Sequence, residues 1–317
     1  MILKKIGNIG GFFYKIRLIF LIFLLLNPLV VRGELPVAIK TDRVQTENFL
    51  LLFEPSLVKP AQHIIEVFPR IKSDLENNLG WNLNLKPVIL LIHYNKTFRK
   101  ISSLPYVSAF AVPQKQLIVI DYSKMNLNLF ILEITLKHEL CHLLLHNHIK
   151  TSHIPRWLDE GVAQWVSDGM SELLIAKQGD VLQPAVLSGT ILNLENISKT
   201  FPYNKPELFL AYEESKNIVE YIVMKFGKNG LCSILDNLKN GNNINAAILK
   251  TTDISKDQLE ADWHKYLKKN NTWFIWITIH IYEILFFLTA ITSVYGFFKL
   301  SIKKRNYTDE DDPEFDE

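Results

Sequence analysis

With only two cysteines in 317 residues, the chain cannot be a small disulfide-rich scaffold. Cys141 and Cys232 both fall in apolar helical patterns, where an unpaired thiol behaves as a small core residue, and both are expected to be free. Glycine and proline, 13 of each, are too sparse for a collagen-like or low-complexity chain. No internal repeat and no Pro/Ser-rich linker interrupts residues 34–271, a length that suits one large domain or two small ones. An excess of one charge is missing too. The chain carries 35 basic and 33 acidic residues for a net +2, and between Glu34 and Asn271 there are 26 bases and 25 acids. That balance removes any charge argument for nucleic acid or another anionic partner.

The charges that do not cancel sit at the ends, beside the two long apolar runs. Residues 1–33 contain Lys4, Lys5, Lys15, Arg17 and Arg32 with no acid, and Leu18–Val31 is an uncharged run of 14 residues. A basic stretch followed by an apolar run too short for a bilayer span reads as a signal peptide, with cleavage expected after Gly33 and an uncleaved anchor as the alternative. Trp273–Phe298 runs 26 residues with Glu283 as its one formal charge. At about 1.5 Å per residue it is long enough to cross a bilayer once. Trp273, Trp276 and Tyr295 lie near its ends, and Lys299, Lys303, Lys304 and Arg305 follow it. Aromatic ends and a basic flank predict a single-pass cell membrane protein with residues 299–317, basic then acidic, in the cytoplasm. Residues 34–271 are then an exported domain, periplasmic or extracellular. His280 and Glu283, three apart, are read as a mutual contact in preference to a proton path, because only one clear span exists.

Within the exported part, strand-like runs come first and helices after. Phe49–Phe53 and Pro87–His93 read as strands around a helix from about Pro60 to Asn78, which Gly80 stops. Val107–Val112 and Leu117–Ile120 flank a turn and predict a hairpin. Beyond Met125 the pattern is helical: 127–146, 156–167, 208–226, 230–239 and 257–268. The fold class is therefore α+β, a small mixed sheet packed on a mainly helical part.

His138-Glu139-Leu140-Cys141-His142 is an H-E-x-x-H sequence inside the first long helical pattern. Histidines four apart project from one face of a helix, one turn apart, so their nitrogens can converge on one ion. Glu139 lies about 100° round from His138, in reach of a metal-bound water without being a ligand. A catalytic metal of this kind takes three protein ligands and keeps one position for water. Eighteen residues beyond His142 comes Glu160, in Pro155-Arg156-Trp157-Leu158-Asp159-Glu160-Gly161. A second helix running antiparallel to the first, joined by the polar turn 147–154, would bring that carboxylate back to the histidines.

The pair HELCH and WLDEG resembles the gluzincin metallopeptidases, the peptidase MA-like catalytic domains related to the aminopeptidase N and leukotriene A4 hydrolase group, in which H-E-x-x-H is followed by W-L-x-E-G. The resemblance covers about Phe49–Lys269. It implies a zincin-type fold binding Zn2+, with His138, His142 and Glu160 as ligands and Glu139 as general base. Seventeen residues separate His142 from Glu160, one fewer than in the aminopeptidases. The segment Ala211-Tyr212-Glu213-Glu214-Ser215 is similar to the family helix whose tyrosine donates a hydrogen bond to the tetrahedral oxyanion, which makes Tyr212 the second candidate catalytic residue.

Two departures from the aminopeptidases bear on activity. The glycine-rich segment that holds a substrate N-terminus is replaced by Val107–Ile120, and no separate β-domain is expected before it. An endopeptidase is expected, with an edge strand around Leu117–Ile120 pairing with an extended peptide or protein substrate. Asp159 and Gln164 are the nearest groups in sequence to orient the histidines, although solvated helix positions are the favoured reading for both. The competing functions are an inactive, membrane-tethered zincin-fold binding protein and an intramembrane metalloprotease. Glu133, Lys137 and the motif itself interrupt the apolar helix that the intramembrane reading needs.

Overall fold

The computed structural model describes residues 41–93, 98, 107–125, 128–150, 153–168, 181–270, 277–278 and 280–308. The expected signal peptide, the acidic end from Asp309, and Trp273 with Trp276 lie outside the described residues. The strands are β1 Asp42–Gln45, β2 Leu50–Phe53, β3 Val88–Ile92, β4 Ala109–Val112 and β5 Leu117–Asp121, with helix α1 Val58–Leu79 between β2 and β3. The remaining helices are α2 Leu129–His148, α3 Arg156–Ser167, α4 Leu182–Ser188, α5 Asn196–Lys199, α6 Lys205–Lys239, α7 Ile244–Thr252, α8 Lys256–Asn270 and α9 Ile281–Thr308. Contacts divide the chain into two units, Met1–Leu182 with Ile191–Trp263, and Gln183–Thr190 with His264–Glu317.

The first unit carries a five-stranded mixed sheet in the order β1-β2-β3-β5-β4, parallel in the middle and antiparallel at both ends. Helix α1 supplies the crossover that the parallel pair β2/β3 requires. Its apolar residues Ile64, Phe68, Ile71, Leu75 and Leu79 repeat at helical spacing and are wholly buried, and Gly80 ends it in the left-handed region, φ 70°. In β3 and β5 nearly every residue is buried, as expected of strands covered on both faces.

The edge strand is not the expected one. β5 pairs with β3 on one side and β4 on the other, and all five of its residues are buried. Among the described residues, the edge beside β5 belongs to β4, whose Phe110, Ala111 and Val112 are half-buried. A hairpin read from sequence has two equivalent members, and only the parallel pairing with β3 decides which becomes internal. Sequence periodicity also misses β1, a short polar edge strand, and the short helices α4, α5 and α7. The two expected helices around Gly227 are joined as α6, broken there by a non-helical φ of 72° and ψ of 170°.

Helix α2 is the centre of the unit. It packs against α1, β4, β5 and α3, and Leu132, Leu136, Leu140, Leu143 and Leu144 are at most 1% exposed. A helix this apolar belongs inside protein or lipid, and here the neighbouring protein elements cover it. Cys141 is buried on this helix and Cys232 half-buried on α6; both are free, as expected. In the second unit, α9 contains a stretch, Ile281–Lys303, long and apolar enough to cross a membrane, with none of it buried. The helix runs on to Thr308, past the expected end at Phe298. His280 Nδ1 and Glu283 Oε2 are 2.9 Å apart, the mutual contact expected of them.

Candidate metal centre

α2 and α3 pack side by side and bring His138, His142 and Glu160 together. One donor atom from each lies within 4.8 Å of the others, and all three residues are buried. The two histidine Nε2 atoms are 3.1 Å apart, and Glu160 Oε2 lies 3.5 Å from that of His138 and 3.6 Å from that of His142. Tetrahedral ligands on bonds of about 2.0–2.2 Å are about 3.3–3.6 Å from one another; the two Glu160 distances match that spacing, and the histidine nitrogens lie slightly closer together. Glu160 Oε2 has no hydrogen-bond donor although it is fully buried. A buried acceptor between two imidazole nitrogens is what a cation would satisfy. Glu139, next to His138, is 1% exposed.

The surrounding groups orient this set. Asp159, one residue before Glu160, places Oδ1 2.8 Å from His142 Nδ1 and Oδ2 2.8 Å from His146 Nε2. Holding Nδ1 of His142 leaves its Nε2 lone pair directed at the site. Gln164, 1% exposed, donates from Nε2 to the backbone carbonyl of Tyr212 at 3.1 Å. The expectation that Asp159 and Gln164 are solvated is therefore corrected: packing of α3 against α2 and α6 ties the half-buried Asp159 to two histidines and buries Gln164, and sequence does not show that packing. Arg156, one turn before Glu160, reaches Glu160 Oε1 with Nη2 at 3.2 Å. His146 and Arg156 were not singled out from sequence. Their signal was present as spacing, since each lies four residues from a candidate ligand on its own helix.

Electrostatics agree with a cation site. Burial disfavours charge on His142, yet Asp159 and Glu160 outweigh it and raise its pKa well above the usual value. Burial would likewise raise Asp159 and Glu160, but the imidazoles, joined for Glu160 by Arg156, hold both below the carboxylate range. His138 goes the other way, lowered chiefly by burial. Two buried carboxylates thus impose a positive charge on the pair of imidazoles, which a proton or a metal can supply.

Tyr212, on α6, is 3% exposed, and its ring meets Phe201 edge-on at 4.9 Å between centroids. The tyrosine backbone is tied to α3 through Gln164, four residues beyond Glu160.

A family model described as the Peptidase MA superfamily matches residues 80–269. Among curated proteins none matches the sequence. Solved structures similar to this chain include native leukotriene A4 hydrolase from Saccharomyces cerevisiae, at 12% identity and TM-score 0.43, covering 72% of this chain and 38% of that one. Aminopeptidase A from Legionella pneumophila is similar at 12% identity and TM-score 0.42, covering 71% and 27%. A zinc metallopeptidase of the M1 class from Deinococcus radiodurans is similar at 14% identity and TM-score 0.38, covering 71% and 49%. The chain spans less than half the length of each of these.

Proposed function

This chain belongs to the Peptidase MA superfamily, and on that premise we propose that it is a zinc-dependent metallopeptidase, held in a cell membrane by its C-terminal helix with the catalytic domain exported. The observation that carries the reading is the buried convergence of His138, His142 and Glu160 from two helices. These three would hold the ion. Zinc bound there supplies Lewis acidity, polarising the scissile carbonyl and lowering the pKa of a water towards about 7.

The chain's own groups do the rest. Glu139, fixed on α2 beside His138, takes the proton of the attacking water and passes it to the leaving amine. Tyr212 donates its hydroxyl to the oxyanion. Asp159 keeps His142 in the tautomer that presents Nε2 to the ion. An extended peptide or protein substrate pairs with the edge of β4, which packs against α2, and is cleaved internally.

The test is metal analysis of the purified chain with a chelator-sensitive peptide-cleavage assay. Stoichiometric zinc and cleavage abolished by chelator are expected, and a chain that takes up no metal contradicts the proposal. Glu139→Gln is expected to keep the metal and lose turnover by at least about 100-fold. Wild-type cleavage by that variant would remove Glu139 from the mechanism.

A further inference from the structure

The two oxygens of Glu160 have different surroundings. Oε2 faces the histidine Nε2 atoms at 3.5 and 3.6 Å, whereas Oε1 meets Nη2 of Arg156 at 3.2 Å. Arg156 and Glu160 are one turn apart on α3, so the helix itself delivers the guanidinium to the outer oxygen. The same guanidinium lies over the ring of Phe201, with Cζ 5.0 Å from the centroid. Phe201 in turn meets Tyr212 edge-on at 4.9 Å, and Tyr212 is tied back to α3 by Gln164 at 3.1 Å. These contacts close a ring: Glu160, Arg156, Phe201, Tyr212, Gln164 and α3 again.

A carboxylate can bind a cation through one oxygen or through both. Binding through both would fill the position that a catalytic site keeps for water. Glu160 is 6% exposed, so an Oε1 without a donor would have little water to turn to and would be drawn to the ion. A guanidinium stays charged at any working pH and offers donors in a fixed plane, which a stacked ring holds still.

We propose that Arg156 is a positioning residue: clamped on Phe201, it takes Oε1 of Glu160, so that the carboxylate offers the ion Oε2 alone and the water position stays open. This rests on the metallopeptidase reading above. In this role Arg156 acts through Glu160, whose Oε1 its Nη2 meets.

The test uses the full chain in detergent, stripped of metal and reloaded with Co2+, whose visible absorption weakens when coordination rises above four. Arg156→Met keeps a long apolar stem but removes donors and charge. Its cobalt band is expected to lose most of its intensity, and kcat to fall by about 10- to 100-fold with KM unchanged. A wild-type band and wild-type kcat in Arg156→Met overturn the inference while leaving the metallopeptidase reading intact. Should that variant not fold, Phe201→Leu, which removes the ring under the guanidinium, carries the test: a weakened band supports the clamp, and an unchanged band overturns it. Failure of the wild-type chain to bind Co2+ overturns the reading and the inference together.

Discussion

Asp159 holds two imidazoles with one carboxylate, His142 at 2.8 Å and His146 at 2.8 Å, and only the first is a candidate ligand. Removing such an orienting group typically weakens metal binding by about 10- to 100-fold, so Asp159→Ala is expected to show that loss in competition with a chromophoric chelator. Unchanged affinity would mean that α2 alone orients His142. A second buried acid acts on stability instead. Glu214, wholly buried on α6, accepts from the backbone N–H of Leu192 at 3.0 Å, and Glu260 accepts from that of Leu194 at 2.9 Å. Burial pushes the Glu214 carboxyl from 4.5 up to about 8, against the pull of the Leu192 N–H, and the nearby Glu260 adds to the rise. Between those two values the folded chain keeps a proton that the unfolded chain releases, so stability contributed by the neutral acid is lost as pH rises through the window. Glu214→Gln keeps the acceptor and has no charge to bury. It is expected to raise Tm by a few degrees at pH 8 and to change it little near pH 4; equal Tm at pH 8 would contradict a protonated Glu214.

At the scale of elements, the site depends on how closely α3 lies on α6. Gly161 follows Glu160, and a Cβ there would fall 2.1 Å from the carbonyl oxygen of Ser215 and 2.7 Å from Cγ2 of Val219. Glycine is required at this crossing by contact rather than by backbone angle. Gly161→Ala forces the helices apart and carries Glu160 with them. A loss of about 1–3 kcal/mol in denaturant unfolding is expected, together with weaker metal binding. Stability and affinity both unchanged would show that α3 can shift without moving its carboxylate. The helices themselves were legible: α3 occupies Arg156–Ser167, and α2 begins two residues later than its pattern predicts. α2 is a long apolar run and α3 a periodic one, and each pattern is a local property. The hairpin was legible as two strands and illegible as an edge, because β4 and β5 differ in position only after β3 has paired.

For the whole molecule, the net charge of +2 averages unlike parts: a basic N-terminal stretch, a near-neutral body, and a basic then acidic end. With α9 apolar and unburied over Ile281–Lys303, alkaline extraction is expected to leave the full chain in the membrane fraction, and its tail to be cut by protease only from the cytoplasmic side. Release by alkali would remove the anchor. By itself the sequence determined the long helices, the pairing of His138 with His142, the neighbouring Glu139 and the choice of Glu160, because each depends on spacing within one helix or on a short motif. Tertiary structure decided the rest. Which strand forms the edge, that Asp159 bridges two histidines, and that Arg156 sits between Glu160 and Phe201 all depend on how separate elements pack, and no periodicity within a single element encodes that distance.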